Sequence, residues 1–338
     1  MASLMGHGAD GGPSGGYMNG ERAAPKLGTE LWTAIGGGGI DVCYQPKVEM
    51  ATGIVRGAEA LVRWYHPRLG RVRPAKLVRV AERTGAIRPL TMWVMQQALA
   101  ECRTWRDLGW DLSVAVNLSA RNLVDRRLAP DVAKLLDDVG VPAASLTLEI
   151  TETMVVGESQ RSLDVVQSLV ELGVKISCDD FGTGYASLAR LRRLPINEIK
   201  VDRSFVCRMA DDDTDRAITR SVLALGRGLG LTTVAEGVED RDGWDILRAF
   251  GCDQAQGFLV SRPLAAERFR EWMARQPESA RPKVARPVTT LETSAGAAVA
   301  AASAPESIAA AAASASAVAP SSPAQVPVGA KSAQASRG

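Results

Sequence analysis

GVKISCDDFGTG, residues 173–184, packs three signals into one short run. Gly173 ends whatever precedes it. Val174–Asp180 then has the β-branched and apolar content of a buried strand. That strand ends on two adjacent acids, Asp179 and Asp180, where a strand covered on both faces should stay apolar. Gly182 and Gly184 follow, and they permit a tight, close-approaching loop after the acids.

The same unit recurs on both sides of this run. Short apolar stretches alternate with amphipathic helical ones. The strands are expected at Val42–Gln45, Gly57–Trp64, Leu112–Leu118, Ser145–Thr151, Val174–Asp180, Glu198–Asp202, Thr232–Glu236 and Asp253–Phe258. Helices are expected at Leu90–Leu108, Pro130–Val139, Gln160–Leu172, Asp215–Leu229 and Arg241–Phe250. Gly140, Gly173, Pro195 and Gly251 punctuate the junctions. Eight strands alternating with helices over roughly 250 residues predict an α/β fold, a (β/α)8 barrel.

Nearly every strand carries a polar residue at or near its C-terminal end: Gln45, Glu59, Asn117, Glu149, Asp179 with Asp180, Lys200, Glu236 and Gln256. Singly, each is explained by a strand end meeting water. As a set they point to the C-terminal rim, where barrels build active sites. Five converging carboxylates repel one another unless cations neutralise them. All-oxygen donors favour Mg²⁺ or Mn²⁺, with Ca²⁺ as a non-productive, inhibitory occupant. The adjacent pair Asp179 and Asp180 suits bridging of two ions, and two-metal sites suit in-line attack on a phosphodiester. Lys200 supplies a point cation to orient water or steady developing charge. In Glu59-Ala60-Leu61-Val62-Arg63, strand alternation puts Glu59, Leu61 and Arg63 on one face. That sets a guanidinium suited to phosphate beside a metal ligand. Glu152 is placed to hydrogen-bond the Gly182–Gly184 loop, and His66 reads as a structural hydrogen-bonding histidine.

Composition narrows the classes. The chain has 338 residues and is 46% hydrophobic, enough for a large core. A formal charge of +2 gives no strong pull toward nucleic acid or an acidic membrane. The histidines are His7 and His66 alone, which argues against a histidine-built zinc site and a Ser-His-Asp hydrolase. Cys43, Cys102, Cys178, Cys207 and Cys252 are odd in number, widely spaced and without a CxxC pair, which reads as reduced thiols in the cytoplasm. Neither a secretory signal nor an apolar run of membrane-spanning length is visible. Residues 1–26 read as a flexible Gly-rich leader, 27–276 as one catalytic domain, and 277–338 as a disordered Ala/Ser/Pro-rich tail. The tail holds most of the positive excess, so the domain itself is near neutral.

These residues resemble the EAL-domain cyclic di-GMP phosphodiesterases. The motifs run in order from about Leu27 to Trp272: YQPKV (Tyr44–Val48), GAEALVRWYHP (Gly57–Pro67), VNLSARNL (Val116–Leu123), LEITET (Leu148–Thr153), DDFGTGYASL (Asp179–Leu188), IKVDRSFV (Ile199–Val206), AEGVED (Ala235–Asp240) and QGFLVSRP (Gln256–Pro263). The resemblance implies a TIM-like barrel whose first strand runs against the rest. It implies hydrolysis of cyclic di-GMP to linear 5′-pGpG with two Mg²⁺ or Mn²⁺ ions, in bacterial second-messenger signalling that governs biofilm and motility. By resemblance, Glu59, Asn117, Glu149 and Asp179 hold one ion. Asp179 and Asp180 hold the other, with Glu236 supporting it or its water. Lys200 orients the attacking water. Gln45, Leu61, Arg63, Asn117, Asp180 and Gln256 contact substrate or water, and Ser261-Arg262-Pro263 lies near a guanine. Glu152 anchors the DDFGTGY loop, which in the family couples the metals to a dimer interface; a homodimer is therefore expected, and an unidentified regulatory protein is a further partner.

Two departures stand out. Ala186 replaces the usual Ser of GYSSL, and Leu77-Val78-Arg79-Val80 replaces a more apolar FIPL-like run. The alternative reading is a weak or inactive cyclic di-GMP receptor. Such receptors usually lose metal ligands or the loop glutamate, and this sequence keeps them.

Overall fold

The computed structural model describes residues 19–152, 154, 160–184 and 194–284. The strands are β1 (Ile40–Glu49), β2 (Val55–His66), β3 (Gly70–Val72), β4 (Ser113–Asn117), β5 (Leu146–Thr151), β6 (Lys175–Phe181), β7 (Glu198–Val201), β8 (Thr232–Glu236), β9 (Gln254–Gln256) and β10 (Leu264–Ala265). Eight of them close a barrel in the order β1-β9-β8-β7-β6-β5-β4-β2, with β2 returning to β1. Pairing is parallel from β2 round to β9, whereas β1 is antiparallel to both its neighbours. This is the TIM-like barrel with a reversed first strand. β3 and β10 were not among the expected strands; they extend β2 and β1 beyond the barrel wall.

The strand expected at Asp253–Phe258 is shorter. It stops at Gln256 because Gly257 passes against the backbone of Val238, where a Cβ would lie 2.1 Å from the Val238 carbonyl oxygen. A helix at Pro74–Thr84 was also not expected. Proline at its start and a left-handed Gly85 at its end frame it. Its charged residues hid the apolar side, of which Leu77, Val80 and Ala81 are buried.

Described structure continues on both sides of the 27–276 span expected for the domain. The helix Asn19–Gly37 starts earlier, and its Leu27 and Leu31 are buried. Past residue 276 the chain stays attached. Asp111 N–H donates to Pro282 O at 3.0 Å, and Val284 N–H donates to Gly109 O at 3.1 Å. Backbone groups that pair across elements hold such a segment in place.

The core lies between the barrel and the helices around it. Trp105, fully buried, meets Tyr44 edge-on at 5.4 Å and Phe269 at 4.8 Å. Its indole N–H donates to Glu101 Oε1 at 2.8 Å. Trp105→Ala is expected to cost about 3–5 kcal/mol, read as a lower midpoint in urea. His66 is structural: its Nε2 faces Glu30 Oε2 at 3.0 Å, and its Nδ1 accepts the backbone N–H of Arg68 and Leu69. All five cysteines are free thiols.

Candidate active site

Side chains of one strand parity point to the barrel axis. Register aligns the polar ones at one end: Gln45 opposite Glu59, Asn117 beside Glu149, Thr151 beside Asp179, and Glu236 beside Gln256. Lys200 on β7 is fully buried at their centre. Its Nζ lies 3.1 Å from Glu149 Oε1, 3.2 Å from Asp179 Oδ1 and 3.6 Å from Glu59 Oε2, and it contacts Glu236 Oε1. One ammonium therefore meets four carboxylates from four strands.

Amides complete the set. Glu59 accepts from Asn117 Nδ2 at 2.7 Å and from Gln256 Nε2 at 2.6 Å. Gln256 Nε2 also donates to Gln45 Oε1, and Gln45 Nε2 donates to the Ser261 carbonyl, each at 3.1 Å. Gln45 thus ties the site to the Ser261-Arg262-Pro263 turn. There the Arg262 guanidinium lies 4.2 Å from the centre of the Phe258 ring.

Burial and charge set the protonation pattern. Burial pushes the Glu149 carboxyl well up, and the nearby Glu59 charge adds to it. Burial also raises Asp180, to about 6, helped by Asp179. Glu236 goes to about 8, because burial and the charges of Asp179 and Glu59 outweigh Lys200. Burial opposes the charge of Glu59 too, but Lys200 and the two amides hold it below its ordinary value. Lys200 stays charged well above the usual lysine range, because Asp179, Glu149, Glu236 and Glu59 outweigh its burial.

The donor chemistry fits a divalent cation. One oxygen each from Asp179, Asp180 and Glu236 lie within 4.8 Å of one another. Glu149 Oε1 has the Lys200 ammonium at 3.1 Å, but its Oε2 is buried without a hydrogen-bond donor, a costly arrangement that a divalent cation would relieve. Glu59 and Glu149 stand outside the tight trio. Asp180 has φ +55°, the one non-glycine residue with positive φ among the described residues. That costly backbone turns its carboxylate toward Asp179 and Glu236. Glu152 Oε2 accepts the backbone N–H of Gly182 at 2.8 Å and of Gly184 at 3.2 Å. The loop-anchoring geometry expected of Glu152 is present. Tyr185 and Ala186 lie outside the described residues.

Glu59 bonds amides and makes no ion pair with Arg63. Arg63 is buried and donates to Val62 O at 3.0 Å, with no carboxylate within ion-pair distance among the described residues. Leu61 and Arg63 instead line a chamber of about 630 Å³ that shares Glu59, Asn117 and Asp180 with the site. The sequence reading also passed over Lys47 and Glu198. They form a buried pair at 3.2 Å inside the barrel. The available signal was parity: Lys47 sits two residues from Gln45, and Glu198 two from Lys200.

A family model described as EAL domain matches residues 29–263. Cyclic di-GMP phosphodiesterase PA2567 of Pseudomonas aeruginosa is 38% identical over 256 residues, covering 75% of this chain and 44% of that protein. The bifunctional diguanylate cyclase/cyclic di-GMP phosphodiesterase MucR of the same species is 42% identical over 227 residues, covering 67% and 33%. A solved structure of PaMucR phosphodiesterase in complex with c-di-GMP matches with TM-score 0.69 and 40% identity, covering 72% of this chain and 99% of that one. The chain spans less than half the length of the curated relatives it matches. No described helix is long and apolar enough to cross a membrane. Motif order, the reversed first strand and the carboxylate ring around Lys200 agree with the match over most of the chain, which belongs to the EAL domain family.

Proposed function

We propose that this chain hydrolyses cyclic di-GMP to linear 5′-pGpG with two Mg²⁺ or Mn²⁺ ions. The observation that carries this is the convergence of Glu59, Glu149, Asp179 and Glu236 on Lys200. Relatives bearing the phosphodiesterase name, and the c-di-GMP complex of a 40% identical domain, support it.

Glu59, Asn117, Glu149 and Asp179 would hold one ion, and Asp179, Asp180 and Glu236 the other. Bound ions supply Lewis acidity toward the phosphodiester and a more acidic water. Lys200 Nζ donates to the attacking water and holds it in line. Arg63, buried and without a carboxylate partner among the described residues, grips a phosphate oxygen. Gln45 and Gln256 fix Glu59 and the rim, while Ser261-Arg262-Pro263 borders one guanine. Water adds to phosphorus, the P–O3′ bond breaks, and the leaving oxygen takes a proton. The product keeps its 5′-phosphate and gains a 3′-hydroxyl. A cytoplasmic homodimer, controlled by a regulatory protein, completes the proposal; the five free thiols support a reducing compartment.

Purified protein given cyclic di-GMP with Mg²⁺ or Mn²⁺ should yield pGpG on nucleotide chromatography, and excess Ca²⁺ should suppress it. Tight binding without product in either metal would establish the receptor reading instead.

Metal binding should strengthen as pH rises. Asp180 (about 6) and Glu236 (about 8) hold protons that a cation must displace. Their folded pKa values lie above the unfolded ones near 4. These two groups therefore destabilise the metal-free fold as pH rises from about 4 through 8. Between pH 5.5 and 8.5 the gain in Tm on adding Mn²⁺ should grow. A gain that is flat or shrinks with pH contradicts this account.

A further inference from the structure

The chamber beside the carboxylates holds a guanidinium that the proposed chemistry does not use. Glu59, Asn117 and Asp180 form its side toward the site, and Val62, Val78 and Leu90 are among its aliphatic walls. Arg79 lines it from the helix Pro74–Thr84. Arg79 is exposed and makes no ion pair or hydrogen bond among the described residues. Its natural helical partner would be Glu82, one turn on. Glu82 instead accepts the Ser119 hydroxyl at 2.6 Å, which leaves the Arg79 fork open. Arg79 stands in the run Leu77-Val78-Arg79-Val80, which departs from the more apolar FIPL-like run of the resemblance.

We propose that Arg79 is a specificity-determining residue: the chamber seats one base of the dinucleotide, and Arg79 reads the O6/N7 edge of guanine. This rests on the cyclic di-GMP reading above. Aliphatic walls around Arg79 suit the two flat faces of a purine, while Arg63 stands at the chamber's side toward the carboxylates. A guanidinium matches the two acceptors O6 and N7 with two parallel donors. Adenine presents an amino donor in place of O6, so the same fork meets a donor and rejects it. Lysine carries the charge but lacks the fork.

The test compares Arg79→Gln and Arg79→Lys with the unmodified chain. KM and kcat are measured for cyclic di-GMP, and inhibition constants for cyclic di-IMP and cyclic di-AMP. Cyclic di-IMP keeps O6 and N7; cyclic di-AMP does not. Both variants should raise KM for cyclic di-GMP about tenfold and weaken cyclic di-IMP in parallel, with kcat little changed. Cyclic di-AMP should bind no worse. Equal weakening of all three nucleotides would mark a phosphate or general electrostatic contact and overturn the proposal, as would an unchanged KM. A Lys variant that behaves as the unmodified chain would also overturn it. An unmodified chain that neither binds nor cleaves cyclic di-GMP removes the functional reading itself. Cleavage with unaltered base preference in the Gln variant removes the Arg79 assignment alone. Tm of each variant, expected unchanged for an exposed helical position, confirms folding.

Discussion

Lys200→Met should all but abolish turnover and, in metal-chelating buffer, lower Tm by on the order of 10 °C. The methionine fills a similar volume but leaves Glu59, Glu149, Asp179 and Glu236 facing one another without a cation. Breaking a buried charge arrangement by removing one partner costs roughly 3–5 kcal/mol. The acids would answer by taking up protons, so the variant should be less destabilised at low pH. Saturating Mn²⁺ should restore part of the lost Tm, because the ions neutralise the same carboxylates. It should not restore activity, because no metal replaces a donor to the attacking water. Thermal melts with and without Mn²⁺, paired with pGpG formation, separate the two roles. Near-normal kcat in Mn²⁺ would remove Lys200 from the chemistry.

Glu59→Ala should abolish pGpG formation. The loss should exceed the roughly 10–100-fold typical of a residue outside the ligand shell. Glu59 is the carboxylate both held by two amides and set near Lys200. Removing it takes away a proposed ligand and leaves the Asn117 and Gln256 amides without their acceptor. Glu59→Gln keeps the volume and much of the packing, so it isolates the charge. It should fold with near-normal Tm yet lose activity and much of the Mn²⁺-induced stabilisation. Unchanged activity in either variant would sink the metal assignment. A folded, inactive Glu59→Gln that still gains full Tm from Mn²⁺ would move Glu59 from ligand to substrate contact.

Much of this was readable along the chain because strand parity is a local property. The polar residues Glu59, Asn117, Glu149, Asp179, Lys200 and Glu236 stood out at or near strand ends, and alternation put Glu59, Leu61 and Arg63 on one face. The repeat of strand, helix and glycine junction identified the barrel. What stayed hidden depends on neighbours far apart in sequence. Arg63 shares parity with Glu59, yet Asn117 and Gln256 take Glu59's lone pairs. Lys47 and Glu198 are 151 positions apart, and only barrel closure makes them a pair. The helix Pro74–Thr84 was masked by its charged residues, two of which, Arg79 and Glu82, line the chamber rather than an outer face.

The chemistry of this site was set by residue types and their spacing: oxygen donors, one lysine, almost no histidine, each at a strand end. Those are one-dimensional facts, since period-two alternation orients every side chain before any strand finds its partner. Which oxygens meet, and which cation they share, followed from register between strands. Register shifts of a single residue would turn the same side chains outward. Closure of the barrel is therefore what gathered four acids onto Lys200.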